Sequence, residues 1–136
     1  MKQGVVRFSV SLPPTLVREF DETWRNMRYD NRSKALHDAL RSFITEVEWM
    51  REEGGFMVGV VMALHYLDRP GLLEELATLL RGFRGIISSI QQVYVEENKM
   101  LGVISVAGEA GEIKRMAQEL MAKKGVKQVK VSVISP

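Results

Sequence analysis

The stretch Val5-Val6-Arg7-Phe8-Ser9-Val10-Ser11-Leu12 alternates in chemistry residue by residue. Val6, Phe8, Val10 and Leu12 are apolar and Arg7, Ser9 and Ser11 are polar, so an extended backbone sends one set to each face, the period of two that marks a β-strand. No second strand follows within reach, because Pro13-Pro14 opens a helical pattern at once. A lone strand has nothing on its own chain to pair with, and its backbone donors and acceptors need partners. The same strand of a second copy, running antiparallel about a two-fold axis, supplies them. Two copies then bury both apolar faces on the helices behind and turn two sets of Arg7, Ser9 and Ser11 outward. A two-stranded ribbon of this kind has the width to enter the DNA major groove.

Outward from that stretch, Pro13-Pro14 suits a first helical turn, where a missing N–H costs nothing. Leu16, Phe20, Trp24 and Met27 recur every three or four residues with charged residues between them, which predicts an amphipathic helix to about Arg28. Tyr29-Asp30-Asn31 breaks the pattern, with Asn31 suited to cap a second helix. Leu36, Ala39, Leu40, Phe43, Val47 and Met50 form the stripe of that helix, which is expected to run to Glu53. Lys34 stands where a capping box would place Glu, and its charge opposes the helix dipole by roughly a few tenths of a kcal/mol. Either a phosphate docks on the N-terminal amides beside Lys34, or Lys34 is a solvated charge that the protein tolerates.

The 136 residues carry a net charge of only +2 and a hydrophobic content of 46%. These values predict an ordered globular chain and exclude a bulk polycationic grip on nucleic acid, so any such binding must come from a local patch. Residues 1–34 hold seven Lys or Arg against four acids, whereas residues 35–53 hold two bases against five acids, which puts the basic end at the N-terminus. There is no cysteine, which removes disulfides, thiolate metal sites and thiol catalysis together. With no apolar run long enough for a signal peptide or a bilayer, a soluble cytoplasmic protein is expected, with no membrane partner.

Glu52-Glu53-Gly54-Gly55 is the expected domain boundary, dividing the chain into residues 1–53 and 54–136. Residues 56–67 suit a buried strand. Leu72, Leu73, Leu76, Leu79 and Leu80 make a helical stripe ending at Gly82 or Gly85, and residues 86–95 read as a strand. Glu96-Glu97-Asn98-Lys99 reads as a hairpin turn before a strand over 100–106. A helix over 111–124 carries Ile113, Met116 and Leu120 on one face and stops at Gly125, and Val129, Val131 and Val133 alternate through a last strand. The fold class is therefore α+β, and the second half has the strand-helix-strand-strand-helix-strand order of a ferredoxin-like unit. Both helices lie on one face of its antiparallel sheet, leaving the other to a second subunit or to water.

Residues 1–53 resemble the ribbon-helix-helix class of transcription factors, an intertwined β-α-α dimer: a short strand, Leu12-Pro13-Pro14 opening one helix, and Asn31-Arg32-Ser33-Lys34-Ala35-Leu36 opening the next. With a ferredoxin-like second half, the whole chain resembles the nickel-responsive regulator (NikR) family in layout and length. The resemblance implies a DNA-binding dimer formed through the N-terminal strands and a homotetramer formed through the C-terminal domains. It places Arg7, Ser9 and Ser11 on the base-reading positions and Asn31, Arg32, Ser33 and Lys34 at the phosphate-binding turn, against double-stranded operator DNA. The family's nickel ligands do not carry over. Aligned on the hairpin, their positions hold Arg81, Gln92, Tyr94 and Met100, and a guanidinium, an amide, a phenol and a thioether do not replace imidazoles and a thiolate around Ni(II). No high-affinity nickel site is therefore expected. His37 and His65 lie in different halves, away from ligand positions.

Asp68-Arg69-Pro70-Gly71-Leu72-Leu73 resembles the signature of ACT domains, which bind amino acids or similar effectors. On that resemblance Asp68, Arg69, Pro70 and Gly71 are candidates for contact with an amino-acid-like effector, with Gly71 allowing close approach and the helix N-terminus offering free N–H groups. The function-free alternative is that Asp68 caps the helix and Pro70 starts it. His65 is expected to be a hydrogen-bonded structural residue, and Trp24, Trp49 and the eight methionines are expected to pack core and interfaces. No nucleophile-base pair, paired carboxylates, phosphate loop or zinc spacing stands out, so no enzyme is expected. The expected function is sequence-specific transcriptional regulation, as a repressor. An antitoxin-like interaction module and an amino-acid-sensing ACT-type subunit stand as alternatives.

Overall fold

Runs of Val, Ile, Leu and Met with a period of two, broken by Gly, Pro and Asn, build four strands in the second part of the chain; period-3.6 stripes build two helices there and two before it. The computed structural model describes residues 4–51 and 54–136. In chain order the elements are α1 (Pro14–Asn26), α2 (Arg32–Met50), β1 (Phe56–Tyr66), α3 (Leu72–Gly82), β2 (Ile87–Val95), β3 (Lys99–Glu109), α4 (Ala110–Ala122) and β4 (Val126–Ile134). They group into two compact units, Met1–Ser42 and Phe43–Pro136, and the division falls inside α2. The last turns of α2 count with the second unit because Trp49 packs against its core. Lys114 reinforces that packing: its Nζ lies 5.1 Å from the centre of the Trp49 ring and donates to the Arg51 carbonyl at 3.0 Å. Of the expected linker, Glu52 and Glu53 lie outside the described residues.

In the first unit α1 begins with Pro14 at its first turn, as the sequence indicated. It ends in a Schellman motif: the Tyr29 N–H donates to the Trp24 carbonyl at 3.1 Å and the Arg28 N–H to Arg25 at 3.1 Å. Arg28 takes the left-handed position with φ 62°, a place usually held by glycine. Asn31 caps α2, its Oδ1 accepting the Lys34 N–H at 2.8 Å. Residues 4–12 carry no strand, because no described segment of the same chain pairs with them, and they are exposed throughout.

The second unit is a four-stranded sheet in the order β2-β3-β1-β4 with every neighbouring pair antiparallel. This is the ferredoxin-like arrangement. The second hairpin strand is longer than its sequence pattern suggested: β3 runs from Lys99 to Glu109 because its ladder with β1 continues to Phe56. Met57, Val61 and Ala63 of β1 and Ile104 and Val106 of β3 face the helices. With Leu72 and Leu76 of α3 and Ile113, Met116 and Leu120 of α4 they form the core. Alternation puts Val58, Val60, Met62 and Leu64 on the opposite face, beside Leu101 and Val103, where all six are half-buried.

Met116 is fully buried on α4. Met116→Ala should therefore destabilise the second unit by about 2–5 kcal/mol through lost contacts and a residual void, read as a lower midpoint in urea unfolding followed by circular dichroism.

Candidate functional site

In the first unit the expected base-reading residues Arg7, Ser9 and Ser11 lie on the exposed N-terminal segment. The apolar set beside them is equally uncovered: Val6 is 87% exposed, Phe8 74% and Val10 67%. The expected phosphate turn is an ordered structure with internal partners. Arg32 lays its guanidinium on Asp21 of α1, Nε to Oδ1 at 2.9 Å and Nη2 to Oδ2 at 2.6 Å. Trp24 Nε1 also donates to Asp21 Oδ1 at 2.8 Å, so the nearly buried carboxylate is satisfied by three donors. The Arg32 guanidinium, first, and the Trp24 indole, second, lower the Asp21 pKa. Arg32 thus ties the start of α2 to α1 while much of its side chain stays exposed.

Lys34 has a partner on its own helix and keeps much of its side chain exposed. Its Nζ donates to Asp38 Oδ1 at 2.8 Å, one helical turn on, and Tyr29 Oη donates to Asp38 Oδ2 at 2.8 Å. Asp38 therefore supplies the counter-charge that Lys34 lacks in a capping box. The i,i+4 spacing was visible in the sequence; the Tyr29 contact needed the turn. Ser33 is exposed beside the cap.

In the second unit, Asp68-Arg69-Pro70-Gly71-Leu72 is a turn of defined type. Leu72 N–H donates to the Arg69 carbonyl at 3.3 Å, Pro70 occupies the second position, and Gly71 the third, with φ 79° and ψ −9°. That is a type II β-turn, which favours Pro at the second position and needs Gly or Asn at the third. The expectation that Asp68 caps the helix is not met, since Gly71 is the N-cap residue and no side chain caps α3. Nor does Pro70 start the helix, which begins at Leu72. Open space surrounds the Gly71 Cα, so its positive φ, and not a close approach, requires glycine there.

The positions that the family resemblance singled out cluster in part. Arg81, at the end of α3, and Gln92, on β2, line one cavity. Tyr94 and Met100 stand opposite each other across the β2–β3 ladder, Met100 buried and Tyr94 exposed. His65 is buried beneath the cavity with Nδ1 3.1 Å from the Tyr66 carbonyl. That contact fixes the tautomer with the proton on Nδ1. The cavity is the feature that sequence reading missed, since it depends on the register of β2 against β3.

Known proteins resemble this chain over its whole length. The family described as NikR C terminal nickel binding domain matches residues 58–134. A Methanocella arvoryzae protein named "Putative nickel-responsive regulator" is 35% identical over all of this chain and 97% of its own length. A Methanothrix thermoacetophila protein of the same name is 36% identical over 99% of this chain and 96% of its own. Among solved structures, the ACT domain of GTP pyrophosphokinase from Chlorobium tepidum covers 57% of this chain and 86% of its own, at 12% identity and a TM-score of 0.48. That likeness adds nothing to the fold already described from strand order.

The side chains at the four family positions do not fit nickel. A guanidinium is a cation without a free lone pair, and amide, phenol and thioether are poor donors to Ni(II) beside imidazole or thiolate. Among the described residues, no three His, Cys, Asp or Glu stand together as a metal-binding group.

The Asp38 cluster makes a pH dependence. Lys34, first, and Tyr29, second, hold the Asp38 carboxyl down at about 2, against an ordinary 3.8. A lowered folded-state pKa contributes stability that is present above pH 3.8 and is lost as pH falls toward about 2. Acid titration followed by far-ultraviolet circular dichroism should show a shallower loss of helix across that window in Asp38→Asn than in the wild type.

Proposed function

The chain belongs to the nickel-responsive regulator family, and from that premise we propose that it is a sequence-specific DNA-binding regulator in which residues 1–53 read the operator and residues 54–136 bind an effector and assemble the oligomer. The observation that carries this reading is the apolar surface of the first unit. Nine large apolar side chains between Val5 and Leu40 are exposed, among them Val6, Phe8, Val10, Leu12, Leu16, Leu36 and Leu40, while Ala35 is the one hydrophobic residue buried among the described residues of that unit. A two-helix unit with so small a core has little hydrophobic stabilisation of its own. A second copy of the same unit supplies the missing cover.

Pairing residues 5–12 of the two copies closes their backbone ladder and turns Val6, Phe8, Val10 and Leu12 onto the helices. Arg7, Ser9 and Ser11 then face the groove, Arg7 as a bidentate donor to guanine and the serines as weaker discriminators. Asn31, Ser33 and the N-terminal amides of α2 meet the phosphate backbone. Arg32 and Lys34 keep unused N–H donors beyond those given to Asp21 and Asp38 and add to that contact. The half-buried sheet face carrying Val58, Val60, Met62 and Leu64 joins copies into a tetramer. An effector in the second unit changes operator affinity by favouring one arrangement of the two ribbons.

Family membership supports regulation as the role and favours no catalytic one. An amino-acid-like effector at Asp68, Arg69, Pro70 and Gly71 gains no support beyond the motif itself, because the type II turn accounts for Pro70 and Gly71 by backbone geometry.

Two variants test the reading in gel-shift and sedimentation experiments on the full chain. Arg7→Ala should remove specific binding to the DNA upstream of its own coding sequence, at about 1–3 kcal/mol per lost guanine contact, with the oligomer intact. Phe8→Asp should break the dimer and remove binding together. A wild-type chain that sediments as a monomer, its first dozen residues unpaired, would end the gene-control reading.

A further inference from the structure

The cavity that Arg81 and Gln92 share lies between α3 and the β2–β3 side of the sheet and measures about 410 Å³. It exists because β2 is poorly covered: Ile90 and Tyr94 point to the helix-bearing face and remain exposed. Its wall is mainly aliphatic, from Leu73, Leu76 and Leu80 of α3 and Ile87, Ile90 and Ile104 of the sheet. A concave, mostly apolar site of this size with a few polar groups is the usual form of a small-molecule pocket.

The polar groups in it share one character. Arg81 and Arg84 both line the cavity, and no Asp or Glu does. Neither guanidinium makes an ion pair or side-chain hydrogen bond among the described residues. Arg81 stands in the last turn of α3, where a cation complements the helix dipole. Arg84 lies beyond the helix end and has no such reason. His65 adds a third observation. The side chain is only 5% exposed, Nδ1 is engaged with Tyr66, and no side-chain nitrogen in the described structure is both sealed from solvent and unpartnered. Its Nε2, without a protein partner among the described residues, is therefore within reach of solvent, and His65 is among the residues that line the cavity.

We infer that this cavity binds a small, largely apolar monoanion, with Arg81 and Arg84 holding the anionic head, the aliphatic wall holding the remainder, and His65 Nε2 available to a polar substituent. Two unpaired guanidiniums exclude a bare divalent cation by the same electrostatics that attract a carboxylate. Two of the four positions that the resemblance gives to nickel ligands, Arg81 and Gln92, thus line a site whose charge favours an anion. That such a ligand serves as the effector rests on the gene-control reading above; that it binds does not.

The test uses the full chain without DNA and three probes: octanoate, its neutral analogue octanamide, and nickel chloride. Calorimetric titration should give one octanoate per chain, with octanamide at least about tenfold weaker because a charge-assisted pair is worth roughly that factor. The double variant Arg81→Gln/Arg84→Gln should lose about tenfold for octanoate and nothing for octanamide, since both arginines are exposed and outside the core. Ala77→Phe, which fills the mouth of the cavity from the exposed side of α3, should abolish both. The inference is overturned by octanamide binding as tightly as octanoate, by a double variant with unchanged octanoate affinity, by no heat with octanoate, or by one nickel per chain that displaces it. Gel shifts run in parallel separate the two readings: octanoate binding in a chain that never shifts DNA leaves the cavity assignment standing and removes the regulator. A DNA shift with no octanoate binding does the reverse.

Discussion

Backbone N–H and C=O groups must find partners wherever they leave water, and the two units of this chain meet that demand in different ways. The second unit meets it internally. Three antiparallel ladders tie β2, β3, β1 and β4 into one sheet, and α3 and α4 cover one face of it. The first unit satisfies its helices and their caps, through the Schellman motif at Tyr29 and the Asn31 side chain, but leaves residues 4–12 with no ladder. Everything proposed for DNA follows from that imbalance, since an alternating apolar segment without a partner is stable only when another chain completes it.

Much of this was legible from pattern alone. Period-two and period-3.6 spacing located all eight elements to within a few residues, and the order of strands and helices in the second half fixed its topology, because a split βαβ arrangement leaves few ways to pair four strands. The helix-facing set Ile113, Met116 and Leu120 was readable for the same reason. What escaped depends on contacts between segments. Asp21 and Arg32 are eleven positions apart and meet only because the α1–α2 turn closes through Arg28 in the left-handed region. Lys34 looked anomalous against a capping box until Asp38 and Tyr29 were placed around it. The Asp68-Arg69-Pro70-Gly71 segment matched a ligand-binding signature, yet its Pro and Gly are those a type II turn needs. Short motifs rich in such residues carry backbone geometry first and function second.

The second unit joins a shared family fold to an altered chemistry. Its relatives are named for nickel, and the positions that the family resemblance gives for ligands hold Arg81, Gln92, Tyr94 and Met100 here. Substituting a fixed cation for a ligand does more than remove affinity for a metal: it places positive charge beside an aliphatic wall, where low dielectric makes an unpaired charge costly and a bound counter-anion favourable. Exposure of the arginine heads limits that cost in the free chain.

On the gene-control reading, the ion pairs of the first unit bear on recognition as well as on stability. A phosphate contact made by a freely rotating arginine spends part of its free energy on ordering a long side chain. Arg32 is ordered already, its Nε and one Nη held by Asp21, while the remaining N–H groups stay on the exposed side. Lys34 is restrained by Asp38 in the same manner. On the gene-control reading these internal carboxylates do not compete with DNA so much as aim the basic side chains, leaving the phosphate to take the donors that Asp21 and Asp38 do not use. The modest net charge of the chain is consistent with that arrangement, because a few positioned cations bind a particular register of backbone phosphates where a diffuse excess of charge would bind any.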